Sequence, residues 1–212
     1  VGADNSTLNG FSVQNGKAPE DEEESAHGAG MLNINVSPEV VNCTFRNNTA
    51  RDSGGAMYNE SCSPHVAECV FENNTAEEGD GGAMMNDNAW PSITECLFRG
   101  NAGKYDGSAI YTQDGGVHLQ DCDFYGNGSL LSNRCDAVYT VYALVEMEGC
   151  IFTANAGAGI RIYGSSVQIV GCTFLGNDSD YAGGGLCCEG ADSVVLSDSV
   201  FLGNRSIECG GG

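Results

Sequence analysis

The chain has 212 residues, enough for one well-filled core, and its 8 Lys+Arg against 29 Asp+Glu give a formal charge of -21. That balance argues against nucleic acid or an anionic membrane surface as a partner, because both are bound through clustered cations. No run reaches the roughly 18–20 apolar residues of a membrane span, and no basic segment followed by an apolar one marks a signal peptide.

In chain order, the first feature is a weak strand-like segment with Phe11, Val13 and Gly16. The acidic run Glu20 to Glu24 follows, which reads as a solvated loop or as oxygen ligands for Ca²⁺. A repeat then sets in. Cys43, Cys69, Cys96, Cys122, Cys150 and Cys172 each open the pattern C-x-F-x-x-N. It is completed by Phe45 and Asn48, Phe71 and Asn74, Phe98 and Asn101, Phe124 and Asn127, Phe152 and Asn155, and Phe174 and Asn177. A seventh copy puts Ser199 in place of Cys and keeps Phe201 and Asn204; successive copies lie 26, 27, 26, 28, 22 and 27 residues apart.

Three residues before each anchor stand Val40, Val66, Ile93, Leu119, Met147, Ile169 and Leu196, and directly before it stand turn formers such as Asn42, Glu68 and Asp121. Each unit therefore predicts an apolar strand, a bend, and a second strand with Cys and Phe facing inward. A polar loop leads to a Gly-rich restart, as in Gly54-Gly55-Ala56-Met57 and Gly81-Gly82-Ala83-Met84. The Met/Ile/Leu column there is expected to face the core. The next one, Tyr58, Met85, Tyr111, Arg161 and Cys187, is expected to face water.

Three short strands per unit of roughly 26 residues, without helical periodicity, give an all-β, single-stranded, right-handed parallel β-helix of about seven coils, one domain over residues 1–212. Like side chains then stack about 4.8 Å apart into Cys, Phe and Asn ladders. An inward Asn can satisfy the bend backbone, and Cys can serve as a small apolar filler. The motifs GG[AIL] and F-x-x-N resemble polymorphic-outer-membrane-protein-type repeats, and the opening Leu8 to Gly16 resembles a segment of right-handed β-helix surface proteins. The resemblance implies a surface-exposed adhesive or structural protein.

Eleven Cys is an odd number, so at least one thiol is free or pairs with another chain. Cys62, Cys135, Cys187, Cys188 and Cys209 lie outside the ladder and are the disulfide candidates of an oxidising compartment. Nine Asn-x-Ser/Thr sequons suggest a secreted protein carrying N-linked glycans. Asn127, Asn177 and Asn204 occupy the ladder, whereas Asn5, Asn47, Asn59 and Asn73 are the expected acceptors.

No catalytic constellation is read. The carboxylates look like isolated turn residues, and His27, His65 and His118 share no column in this alignment. Pectin-degrading signatures are absent. No metal site is expected: acidic loops such as Glu77, Glu78 and Asp80 or Asp178 and Asp180 read as solvated loops, with Ca²⁺ as the alternative. Tyr58, Tyr111 and Tyr163, with Trp90, read as ordinary surface aromatics, with a sugar-stacking strip as the alternative.

The chain opens in the middle of a unit, and Gly210 to Gly212 resemble the start of another corner. No polar cap is evident, so this is either part of a longer β-helix or a subunit that stacks end to end. The function expected is a non-catalytic extracellular structural or adhesive glycoprotein of a filament, appendage or coat. The alternatives are a carbohydrate-active β-helix enzyme and a glycan-binding module.

Overall fold

The computed structural model describes residues 6–18, 26–129 and 135–207. All its regular elements are strands, every pair is parallel, and each strand pairs with its counterpart one coil away. The chain is thus a parallel β-solenoid.

Three main faces run along the axis. The first has seven strands, among them Met57–Glu60, Met84–Asp87, Ile110–Gln113 and Ile160–Tyr163. The second has eight, including His65–Ala67, Ser92–Thr94, Gly116–Gln120 and Leu144–Glu148. The third also has eight, including Val70–Glu72, Leu97–Arg99 and Asp123–Tyr125. A fourth, two-residue strand such as Thr75–Ala76 closes several coils, one more than the repeat predicts. It is too short to show a period in sequence.

The bends explain the residue choices. Before each ladder Cys the chain turns through a left-handed residue, Asn42, Glu68, Glu95, Asp121 and Asp198 having φ between 51° and 53°. Gly149 and Gly171 fill the same place without a Cβ penalty. At the restart the coils come so close that a Cβ on Gly82 would sit 2.2 Å from the Ser108 carbonyl oxygen, which leaves glycine as the only fit.

Inside, seven Phe rings from Phe45 to Phe201 stack face to face, with centroids 4.6–5.0 Å apart. The Asn ladder runs beside them. Asn101 Oδ1 accepts from the Asn74 main-chain N–H and Nδ2, both at 3.0 Å; Asn101 Nδ2 donates to the Phe71 carbonyl at 2.9 Å and to Asn127 Oδ1 at 3.0 Å. Every polar group of the side chain is used.

The Cys ladder is more than filler. Cys69 Sγ donates to the Ala67 carbonyl at 3.1 Å and accepts the Cys43 N–H at 3.4 Å. Ser199 makes the same two bonds, donating to the Ser197 carbonyl at 2.9 Å and accepting the Cys172 N–H at 3.1 Å. Cys and Ser are therefore equivalent here as bend caps.

Two readings of side-chain direction need correction. Tyr58, Met85 and Cys187, expected in water, are buried, Tyr58 beneath the corner that carries His27, on which it stacks at 4.5 Å. Asn59, expected as a glycan acceptor, points inward and is fully buried, its Nδ2 donating to Asn86 Oδ1 at 2.8 Å. Asn33, Asn59, Asn86 and Thr112 form a second internal polar ladder. Its register follows Met57 and Met84, which face inward two positions earlier.

Candidate functional site

With the interior filled, chemistry is confined to the outer surfaces. Three hollows among the described residues open on the second face. One is lined by Thr7, Glu39 and His65 with Ser37, Pro38 and Ser63. Another lies beside Trp90, Ser92, Gly116, His118, Leu144 and Glu146. A third continues from His118 and Glu146 to Glu148, Gln168 and Val170.

Strand register joins them. Thr7, Glu39, His65, Ser92, His118, Glu146 and Gln168 occupy one outward column along the axis. His65 and His118 therefore share a column after all, separated by Ser92, which corrects the expectation that no two histidines do. Counting four residues back from each ladder Cys reveals the column, but its mixed composition hides it from a search for like residues. Thr7 Oγ1 donates to Glu39 Oε2 at 2.9 Å, and His118 Nδ1 lies 3.5 Å from Glu146 Oε2.

Trp90 marks the groove's aromatic end. Its main-chain N–H donates to the Cys62 carbonyl at 2.8 Å, which fixes the bend, and its indole lies across Gly116 of the next coil. A Cβ there would meet the indole at 2.5 Å. Trp90 stays 51% exposed, with the exposed side chain of Leu144 one coil further on. The hollow beside it holds about 90 Å³, well below an enclosed ligand site, so it can seat an edge or a face but not engulf a ligand.

A second polar assembly lies at the corner leading into the first face. Arg161 donates from Nη2 to Glu189 Oε1 at 2.8 Å, and its guanidinium carbon lies 4.7 Å from the Tyr181 ring centroid and 5.4 Å from that of Tyr139. Asp136 is buried. Its Oδ1 accepts the Ala158 N–H at 2.7 Å, while Oδ2 lies 4.0 Å from Arg161 Nη1 and has no hydrogen-bond partner among the described residues. Loss of solvation pushes the Asp136 carboxyl up to about 7. Burial likewise takes Asp106 to about 6, with the Asp80 charge adding to it. These carboxylates are not the isolated turn residues the repeat suggests: Asp80 Oδ1 accepts the Asp106 N–H at 2.8 Å. Only the preceding position of Asp80 and Asp106 before a Gly-rich restart hinted at this in sequence.

Other expected sites are dispersed. Asn47 and Asn73 are exposed at left-handed bends, φ 54° and 53°, one coil apart. Asn5 lies outside the described residues, as do Cys209 and the run Glu20 to Glu24. The disulfide candidates do not meet: Cys62, Cys135, Cys187 and Cys188 are all free thiols. Cys62 sits under the Asn33 carbonyl and Cys187 beside Glu189, while adjacent Cys187 and Cys188 point to opposite sides of one strand. Among the described residues no group of three or more His, Cys, Asp or Glu is arranged to hold a metal ion. Glu78 of the acidic loop is paired with Lys104.

The proposed aromatic strip is also broken up. Tyr58 is buried, Tyr111 packs edge-on against Tyr139 at 5.4 Å, Tyr163 against Tyr142 at 5.6 Å, and Trp90 stands apart on the second face. No helix among the described residues is long and apolar enough to cross a membrane.

Among curated proteins no relative matches this sequence. A family model described as the right handed beta helix region matches residues 4–141 and, overlapping it, 108–210. Nearly the whole chain is covered by these two matches, so the protein belongs to the right-handed β-helix family.

Proposed function

We propose that the protein is a non-catalytic extracellular surface glycoprotein, a rigid β-helical rod that serves structural or adhesive contacts. The observation that carries this reading is the run of Phe and Asn ladders through every central coil. Such stacking gives a stiff body whose variable surface is its outside. The likeness of its GG[AIL] and F-x-x-N motifs to surface-protein repeats supports the same reading, as do the exposed sequons at Asn47 and Asn73.

Self-association of rods is part of the proposal. Glycopeptide mass spectrometry of native material tests the central claim. Hexose-bearing peptides at Asn47 and Asn73 are expected, and unmodified peptides at both positions in secreted material would overturn it.

A carbohydrate-cleaving enzyme is the second reading. It is favoured by one observation, the desolvated carboxyls of Asp106 and Asp136 near Arg161, both held above the usual carboxylate range. Glycan depolymerisation that disappears in both Asp106→Asn and Asp136→Asn would establish that reading instead.

A further inference from the structure

The second face carries an inference that rests on the adhesive reading and specifies what the surface holds. We propose that the groove along this face binds a neutral saccharide chain, with Trp90 as the stacking platform and the column Ser92, His118, Glu146 and Gln168 as its hydroxyl partners.

The argument starts from Gly116. Any larger residue there would displace the Trp90 indole, which instead packs against the Gly116 backbone while the residue stays half exposed. A large apolar ring left half exposed on an acidic protein loses free energy to water unless something covers it. The apolar C–H face of a pyranose is the natural cover for a flat indole, and the indole N–H gives the same group a polar edge.

Beyond the ring, the surface changes character in the direction such a ligand would run. Ser92, His118, Glu146 and Gln168 follow one another at the strand spacing of about 4.8 Å, in register across four coils. Hydroxyls both donate and accept, so they suit a row that alternates donors and acceptors, with carboxylate oxygens taking two bonds each. The flanking hollow extends sideways to Glu148 and Val170, two positions along the same strands from Glu146 and Gln168, and so widens the groove on those two coils. A peptide strand would need an open sheet edge to pair with, but this is a sheet face whose main-chain groups are already paired coil to coil.

Charge narrows the ligand further. Glu39, Glu146 and Glu148 line the groove of a protein with a formal charge of -21, and neither Lys nor Arg lines any of its three hollows. A uronate or sulfated polymer would be repelled along the full length of the column. The class that fits is an uncharged glycan.

The chain contains one tryptophan, so its fluorescence reports on this site alone. Titration of the intact protein with neutral glucan, mannan and xylan oligosaccharides should perturb that signal saturably for at least one class, whereas polygalacturonate should leave it unchanged. Trp90→Ala should weaken the binding measured by calorimetry about tenfold or more, which is about 1.4 kcal/mol. Trp90→Phe should restore most of it. Glu146→Gln should weaken binding less and should not admit the polyuronate on its own.

No fluorescence response to any of the three neutral classes, or equal binding by Trp90→Ala with an unchanged circular dichroism spectrum, would overturn the proposal. Native glycosylated protein that adheres to cells with Trp90 replaced would sink this site while leaving the adhesive reading intact. Native protein that carries no glycans at Asn47 and Asn73 yet binds neutral glycan through Trp90 would do the reverse.

Discussion

Two polar ladders run through the same interior, and they are not equivalent. The bend ladder from Asn48 to Asn204 ties each side chain to the main chain of one coil and to the amide of the next, so all its bonding capacity is met. The strand ladder from Asn33 through Asn59 and Asn86 to Thr112 links side chains only to one another. Among the described residues it leaves Asn33 Oδ1 without a partner; beyond Thr112, Thr140 Oγ1 also has none, and Ile162 then takes the same position. Where the backbone bends, an amide is required; where it runs straight, the amide is a local solution that an apolar residue can replace.

Substitutions should separate the two. Asn101→Ala would strand the Asn74 N–H and the Phe71 carbonyl in a dry interior. A loss of about 3 kcal/mol or more is expected in urea denaturation, and a loss under about 1 kcal/mol would break the distinction.

The covered corner should respond to pH. Asp136 has a folded pKa of about 7, above the unfolded value near 4, so the fold binds its proton more tightly. That contribution is complete below about pH 4 and is lost as pH rises through about 7. The melting temperature should therefore fall by several degrees between pH 4 and 8. Asp136→Asn keeps an oxygen for the Ala158 N–H and should flatten the fall; parallel curves for the two proteins would refute the assignment.

Thr140→Val probes the strand ladder at its end. It removes a hydroxyl that is buried and unbonded, so it should raise stability by up to about 1 kcal/mol, or about 2–4 °C in melting temperature. A drop of that size would mean the hydroxyl is satisfied in solution. The smallest effect is expected of Cys96→Ser, within about 1 kcal/mol, because Ser199 already caps the same bend through a hydroxyl. A cost comparable with that of Asn101→Ala would show that sulfur's bulk, rather than its hydrogen bonding, fills the column.

The repeat made the solenoid legible because stacking forces like residues into register: Phe71, Phe98 and Phe124 announce the core by identity alone. Outward positions have no such constraint. The groove column passes through Glu39, His65, Ser92, His118 and Glu146, and nothing in their identities says they are neighbours. The expectation for Asn59 fails on alternation rather than on concealment: it follows Tyr58 on the strand, so it returns to the inward side that Met57 occupies, and it is fully buried.

The variable corner has a consequence for growth of the fold. Met57 to Cys69, Met84 to Cys96, Ile110 to Cys122 and Ile160 to Cys172 are each twelve positions apart, so differences in unit length collect between the ladder Asn and the next restart. One arc of every turn is a fixed template and the other a tolerant splice point. In-frame duplication of a whole unit would then add a rung of about 4.8 Å without disturbing its neighbours, making gene length a ruler for how far the protein reaches.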